Sequence, residues 1–292
     1  MSSELSRVLR DLMQPGAGVL MPGCANALAA RVIEACGYKA TFVTGAGIAN
    51  TFLGVPDVGL VSLSELVDHV WAIRDAVSIP IIVDADTGFG NAVNVHRVIR
   101  MLERAGANSI MLEDQVFPKR CGHFEGKSVI PRAEMVQKIK AAVDARTDEA
   151  LMILARTDAR ASHGLEDAIE RANLYREAGA DILFVEAPLN REELAAVTAQ
   201  APGIHICNMV IGGKTPVLPS QELGAMGYAA VVYANAALQA ALAGMKKVLT
   251  SLQEKGSVEG LEDAIVSFQD RQRFVDHDRF QALERRYVAA AE

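Results

Sequence analysis

Eight short apolar segments recur along the chain, and longer amphipathic segments separate most of them. Apolar runs of about four to eight residues are typical of buried strands, whereas stretches of about ten or more residues with apolar positions three and four apart are typical of helices. The segments that we predict as strands are, in order, GVLMPG, KATFVTGA, IPIIVDADTG, SIMLEDQ, LMILARTDA, DILFVEAP, IHICNMV and AAVVYAN.

The alternation of strands and helices predicts the architecture. Near-continuous apolar strands indicate a parallel sheet covered by helices, and eight such units close into a barrel. We therefore predict a single (β/α)8 TIM-type barrel domain over residues 1–292, with a helix before the first strand and a helical tail at 258–292. The predicted helices between strands are Asn26 to Gly37, Leu63 to Val77, Val93 to Gly106, Arg132 to Ala145, Leu165 to Gly179 and Arg191 to Ala201.

A doubly wound open sheet is the alternative architecture for such a pattern. Its dinucleotide-binding form requires Gly-x-Gly-x-x-Gly after the first strand, and this chain lacks that motif there. The glycine-rich stretch GAGIANTFLGVPD instead follows the second strand, and we predict it to be a long loop.

Composition narrows the classes of function. The net charge is −7 and no basic cluster is interleaved with aromatic residues, so we expect no nucleic-acid partner. The chain begins without an apolar run long enough for a signal peptide or a membrane span, which predicts a cytoplasmic protein without a membrane partner. The cysteines lack zinc-site spacing and are predicted to be reduced: Cys24, Cys36, Cys121 and Cys207.

Acidic residues collect where the predicted strands end. Period-two alternation places Asp84 and Asp86 of VDADTG on one face, Glu113 ends the fourth strand, and Asp57 lies in the loop after the second. Barrel active sites lie at these C-terminal strand ends. Adjacent carboxylates need a shared proton, a basic neighbour or a cation. An oxygen-only cluster favours Mg²⁺, or Mn²⁺ as a substitute, over zinc.

The acids could instead form ion pairs rather than a metal site, because Arg156 or Lys119 could pair with them. Arg156 ends the fifth strand, where its planar fork could instead hold a substrate carboxylate by two hydrogen bonds. Glu186 and Asn208 end the next two strands. A metal-chelating cluster that faces these groups predicts a small anionic substrate of the 2-oxo or 2-hydroxy acid class.

The loop after the fourth strand, EDQVFPKRCGHFEGKSVIP, combines a thiol with several charges. Such a loop could simply be solvated and inert. However, Cys121 lies between Arg120 and Gly122, with Lys119 and His123 nearby, and neighbouring cations lower the pKa of a thiol. This setting indicates a cysteine that can exchange protons near neutral pH.

Several motifs together resemble the isocitrate lyase and phosphoenolpyruvate mutase superfamily. KRCGH, VDADTGFGN and ARTDA carry the resemblance, and TGAGIANTFLGVPDVG, LEDQVFPKRCGHFEGK, ILARTDAR and NMVIGGKTP follow in the family's order. The resemblance implies a (β/α)8 barrel that binds Mg²⁺, a mobile gating loop carrying the KRCGH segment, and a homotetramer built from helix-exchanged dimers.

The resemblance also implies roles for individual residues. The metal shell would be formed by Asp84, closest to the ion, with Asp57, Asp86 and Glu113. Cys121 would be the proton donor, and Lys119, His123, Arg156 and Glu186 would complete the catalytic set. The substrate would be bound by Thr44, Gly45, Ala46, Gly122, Arg156, Asn208 and Thr215.

The implied reaction is a Mg²⁺-dependent cleavage of a carbon–carbon bond in a 2-hydroxy di- or tricarboxylic acid, similar to 2-methylisocitrate or 2,3-dimethylmalate. The products would be a 2-oxo acid, pyruvate or glyoxylate, and a carboxylic acid. Three alternatives stay open: a carboxyphosphonoenolpyruvate phosphonomutase, an oxaloacetate-cleaving hydrolase, and a non-catalytic barrel that binds oxo acids. Ile211 stands where related enzymes usually have an acidic residue, and it either suits an alkylated substrate carbon or points away.

Overall fold

A computed structural model describes residues 2–120, 122 and 126–288. Its strands form one closed parallel barrel in chain order, with the last strand paired to the first. This confirms the predicted (β/α)8 barrel. The strands are β1 Val19–Cys24, β2 Thr41–Val43, β3 Ile81–Asp84, β4 Ser109–Glu113, β5 Met152–Thr157, β6 Ile182–Val185, β7 Ile204–Asn208 and β8 Tyr228–Tyr233.

Helices surround the barrel, and the six predicted between strands agree with the structure to within two residues at each end. The α-helices are α1 Ser2–Leu12, α2 Ala27–Ala35, α3 Gly45–Ile48, α4 Leu63–Ala76, α5 Ala92–Ala105, α6 Arg132–Ala145, α7 Arg160–His163, α8 Leu165–Glu177, α9 Arg191–Gln200, α10 Ser220–Ala225, α11 Ala236–Lys255, α12 Phe268–Phe274 and α13 His277–Tyr287, with a π-helix at Ala49–Leu53 and a 3₁₀-helix at Glu262–Ala264.

The segment after β2 is a correction, because it begins as α3 and the π-helix rather than as a long loop. The Thr44 hydroxyl accepts a hydrogen bond from the Gly47 amide at 3.3 Å and so caps α3. Gly54 ends the π-helix with φ of +67°, a left-handed conformation that glycine adopts without strain. Helices this short show no repeating apolar pattern in the sequence.

The predicted N-terminal helix is present as α1, and it covers the N-terminal end of the barrel. Its Leu9 and Met13 are fully buried in the cluster that fills the barrel interior. Arg10 donates a hydrogen bond to the Ala150 carbonyl at 2.9 Å and forms an ion pair with Asp181 at 2.9 Å. These contacts lie just before β5 and β6, so α1 is tied to the strand starts and leaves the other end for the site.

The C-terminal tail is helical, as predicted, and projects apolar side chains into solvent. Within the described part of the chain, α12 and α13 contain no buried residue. Phe268, Phe280 and Tyr287 are all exposed, as are Leu242 and Leu249 of α11. None of the described helices is long and apolar enough to cross a membrane.

Candidate active site

The C-terminal strand ends surround a cavity of about 50 Å³. Eight of the predicted site residues line it, together with several apolar side chains from the strands. The lining consists of Phe42, Thr44, Ala46, Asp57, Asp84, Gly122, Arg156, Phe184, Glu186, Asn208, Val210, Val232, Ala234 and Asn235.

Asp84 and Asp86 lie side by side, but for a different reason from the one predicted. The strand ends at Asp84, and Asp86 has φ of +49°, so a turn and not strand alternation brings them together. The Asp86 amide donates to Asp84 Oδ1 at 3.1 Å, and the Gly45 amide donates to Asp84 Oδ2 at 3.4 Å. A Cβ atom on Gly45 would lie 3.2 Å from both carboxylates, so glycine allows this close approach.

Lys119 is buried between two of the acids. Its ammonium lies 2.7 Å from an Asp57 oxygen and 2.8 Å from Asp86 Oδ1. Burial raises the pKa of Asp86 to about 6, although the Lys119 charge opposes this shift. Burial alone would lower the pKa of Lys119, but the surrounding carboxylates hold it well above its usual range, so the side chain stays charged. The second interpretation from the sequence, in which basic residues pair with the acids, is therefore correct for Asp57 and Asp86.

Arg156 lines the same cavity as Asp84. Its Nε is 3.4 Å from Glu113 Oε2, and its Nη2 is 3.5 Å from Glu186 Oε2. Its guanidinium also lies 5.3 Å from the centroid of the Phe184 ring, in a cation–π contact. Complete burial raises the pKa of Glu113 well above its usual value, against the opposing charges of Arg156 and Lys119.

The donor set fits a hard divalent cation. Carboxylates outnumber cations around the cavity, and among the described residues no ion pair joins Asp84 to a lysine or arginine. Glu113 Oε1 is buried, and no described residue donates a hydrogen bond to it. The described part of the chain contains no group of three or more His, Cys, Asp or Glu side chains at direct ligand spacing. Mg²⁺ needs only one or two carboxylates, because it keeps several waters.

The described part of the loop after β4 lies against the cavity. Gln115 holds Arg120 by two hydrogen bonds, accepting from its amide at 2.9 Å and donating to its carbonyl at 2.8 Å. A Cβ atom on Gly122 would lie 2.7 Å from Glu186 Cδ and still closer to Arg156 Nη2, so a side chain there would displace both of these groups. The predicted catalytic residues Cys121 and His123 lie outside the described residues.

Five described residues of the predicted site do not line the cavity: Gly45, Asp86, Glu113, Lys119 and Thr215. Thr215 is buried but is not among the described residues that line the cavity. Ile211 is 56% exposed and does not line it either, which favours the interpretation that this side chain points away. Neighbouring Val210 lines the cavity instead.

Sequence reasoning missed Asp158 and the apolar wall. Asp158 is fully buried and accepts hydrogen bonds from Arg156 Nε at 2.9 Å and Nη2 at 3.2 Å. An acid two residues after a strand-end arginine, within ARTDAR, was the available signal. Phe42, Phe184 and Val232 look like ordinary strand residues in the sequence, and only barrel closure shows that they face the cavity.

The barrel and the polar groups at its C-terminal rim define a (β/α)8-barrel enzyme. Residues 9–253 match the family described as phosphoenolpyruvate phosphomutase, and the chain belongs to this family. The predicted membership of the phosphoenolpyruvate mutase and isocitrate lyase superfamily is thus confirmed.

Curated relatives match nearly the whole chain. The 2,3-dimethylmalate lyase of Eubacterium barkeri is 43% identical over 280 residues, covering 96% of this chain and 97% of the relative. A 2-methylisocitrate lyase of Aeropyrum pernix is 42% identical, covering 96% and 89%. The chloroplastic carboxyvinyl-carboxyphosphonate phosphorylmutase of Arabidopsis thaliana is 43% identical, covering 92% and 80%.

Solved structures of similar proteins share the fold over almost their full length. Oxaloacetate acetylhydrolase with 3,3-difluorooxalacetate has a TM-score of 0.90 at 33% identity, covering 99% of this chain and 98% of that one. A 2,3-dimethylmalate lyase has a TM-score of 0.89 at 32% identity, covering 98% and 94%. Phosphonopyruvate hydrolase with oxalate and Mg²⁺ has a TM-score of 0.87 at 30% identity, covering 97% and 99%.

Proposed function

We propose that the protein is a Mg²⁺-dependent carbon–carbon lyase for an alkylated 2-hydroxy acid similar to 2,3-dimethylmalate or 2-methylisocitrate. The observation that carries the proposal is that Asp84 and Arg156 line the same cavity, so an acid and a guanidinium are available to one small ligand. The 2,3-dimethylmalate lyase that is 43% identical over nearly the whole chain supports the same class of reaction.

Different residues of the site have different roles in the proposed cleavage. Arg156 binds and orients a carboxylate of the substrate, and the Gly45–Ala46 backbone lies beside it. When bound near Asp84, Mg²⁺ supplies positive charge that stabilises negative charge on the 2-oxygen. The proton of the 2-hydroxyl passes to Glu186, a carboxylate that lines the cavity. The bond from C2 to C3 breaks, the oxygen on C2 becomes a carbonyl, and the electron pair stays on C3. Cys121 then donates a proton to C3.

The apolar wall supports an alkylated substrate. Phe42, Phe184 and Val232 line the cavity beside the polar groups. Burying a methyl group against such side chains stabilises binding by about 0.8 kcal/mol per carbon, whereas an unalkylated acid gains nothing from them. Ile211, which the sequence suggested for this role, is not needed for it.

A product assay over a panel of acids tests the proposal. We expect 2,3-dimethylmalate to yield pyruvate and propionate, or 2-methylisocitrate to yield pyruvate and succinate. The kcat/KM for 2,3-dimethylmalate should exceed that for malate, which lacks both methyl groups, by roughly 15-fold, the factor for two carbons at about 0.8 kcal/mol each. Preferred release of oxalate and acetate from oxaloacetate would instead support the hydrolase alternative, and preferred turnover of carboxyphosphonoenolpyruvate would support the mutase.

We further propose a homotetramer of helix-exchanged dimers. The support is the tail, whose α12 and α13 expose apolar side chains such as Phe268 and Phe280 and bury none within the described residues. Exposed apolar surface of this extent is typical of a surface that another protein covers. Light scattering at micromolar concentration should give four times the chain mass, and a monomer would contradict the proposal. The predicted cytoplasmic location stays a prediction.

A further inference from the structure

A second buried lysine links the loop after β4 to the end of β5. The Lys127 side chain is 1% exposed, and its Nζ lies 2.7 Å from Asp158 Oδ1. The same ammonium donates a hydrogen bond to the Gly122 carbonyl. Lysine is almost never fully buried unless it is paired, so this contact fixes the loop to the strand end.

Asp158 uses both carboxylate oxygens and so bridges Lys127 to Arg156. It accepts from Arg156 Nε at 2.9 Å and Nη2 at 3.2 Å, while Lys127 binds the Oδ1 side. Burial alone would raise the pKa of Asp158, but the two cations lower it to about 2, so the bridge is ionised at neutral pH. The Nε–Nη2 edge of the guanidinium is therefore occupied, and among the described residues no hydrogen bond involves Nη1, which is left to donate to a ligand carboxylate.

The backbone that carries Asp158 is itself held from behind the strand. Asp114 accepts hydrogen bonds from the Asp158 amide at 2.9 Å and from the Thr157 hydroxyl at 2.8 Å. Tyr175 and Arg171 of α8 donate to the same carboxylate at 2.7 and 3.1 Å. Asp158 is thus fixed through its backbone by Asp114 and through its carboxylate by Lys127 and Arg156, so it can hold the Arg156 guanidinium in one orientation.

We propose that Lys127 and Asp158 are positioning residues: Asp158 holds the Arg156 guanidinium in the one geometry that receives a substrate carboxylate, and Lys127 ties Asp158 to the loop at Gly122. The proposal rests on the proposed function only in taking Arg156 as the carboxylate receptor. Gly122 supports the link, because a side chain on it would displace the Arg156 and Glu186 side chains. A change in the Lys127–Asp158 pair must therefore move the surface that a ligand contacts.

Calorimetric titration with oxalate in the presence of Mg²⁺ tests this proposal without requiring turnover. We expect Asp158→Asn to raise the Kd of oxalate by roughly 10²-fold, the scale of a 1 Å misplacement in a site. Lys127→Met, which leaves the Arg156–Asp158 pair, should raise it by roughly 10-fold, and Lys127→Arg should restore most of the affinity. The double variant should bind no more weakly than Asp158→Asn alone, because both residues act through one route.

A matched control removes an ion pair at the opposite end of the barrel. Arg146 lies 2.8 Å from Asp181, and Arg146→Met should leave the Kd unchanged. A variant that merely unfolds in part would lower the number of binding sites and the apparent kcat, with Kd and KM unchanged. Wild-type Kd values in Asp158→Asn and Lys127→Met would overturn the proposal, as would a wild type that does not bind oxalate. If the protein shows this Kd pattern but cleaves none of the tested acids, the positioning roles of Lys127 and Asp158 are supported and the proposed function is contradicted.

Discussion

Replacing Asp84 with alanine should lower turnover by about 10³-fold or more and abolish Mg²⁺ binding. A metal ion supplies several kcal/mol of charge stabilisation to such a reaction, and each 1.36 kcal/mol is about tenfold in rate. Asp84 lines the cavity and lies beside Asp86, so its removal also relieves repulsion between like charges. Its removal also takes away the acceptor of the Gly45 and Asp86 amides, so the two effects oppose each other, and the thermal midpoint of the metal-free protein should change by only a few degrees. Calorimetric titration with Mg²⁺ and the product assay together measure the effect.

Two further variants sharpen this test. Asp84→Asn keeps the shape of the side chain and removes its charge, and it should be nearly as inactive as the alanine variant. Asp75→Ala removes an exposed acid from α4 and should leave both Mg²⁺ binding and turnover unchanged. Full activity in EDTA, or normal Mg²⁺ affinity in Asp84→Ala, would contradict the metal-centred mechanism.

Replacing Cys121 with serine should reduce turnover by roughly 10²–10⁴-fold, the range for losing a general acid. Serine has nearly the same shape, but its hydroxyl is a far weaker acid than a thiol beside cations. Binding of pyruvate or oxalate should persist, because those contacts are proposed for Arg156, the Thr44–Ala46 segment and Mg²⁺. Steady-state kinetics and ligand titration separate the two effects.

Isotope exchange identifies the proton donor more directly. In deuterated solvent and in the presence of the 2-oxo acid, the wild type should exchange the carbon-bound proton of the second product, whereas Cys121→Ser should not. Cys36→Ser replaces another free thiol, exposed at the end of α2, and should behave as wild type. If Cys121→Ser keeps wild-type turnover and exchange, the thiol is not the donor.

The sequence predicted the barrel well, because buried parallel strands and amphipathic helices leave periodic patterns. It also predicted that Asp84, Arg156 and Glu186 would meet, since strand ends in a barrel share one rim. Two kinds of feature could not be predicted from the sequence: local backbone conformation, and the direction in which a single side chain points. The positive φ of Asp86 and the four-residue helix α3 are examples of local backbone conformation.

Lys127 and Asp158 are examples of side chains whose inward direction the sequence does not reveal. In the sequence, a lysine in a charged loop and an acid beside an arginine are indistinguishable from solvated surface residues. Only the packing of the loop against β5 removes both from water and makes them a pair. Ile211 is a third example, because the sequence left open whether it faces the substrate, and its exposure of 56% favours the interpretation that it points away.

Leu9 and Met13 are buried in the cluster that fills the barrel interior, so among the described residues the cavity is closed toward the N-terminal end of the barrel. In the proposed cleavage, both fragments would therefore leave toward the end where the strands finish. The fragment nearer the solvent would leave first, and the fragment bound beside Asp84 and Arg156 would follow it.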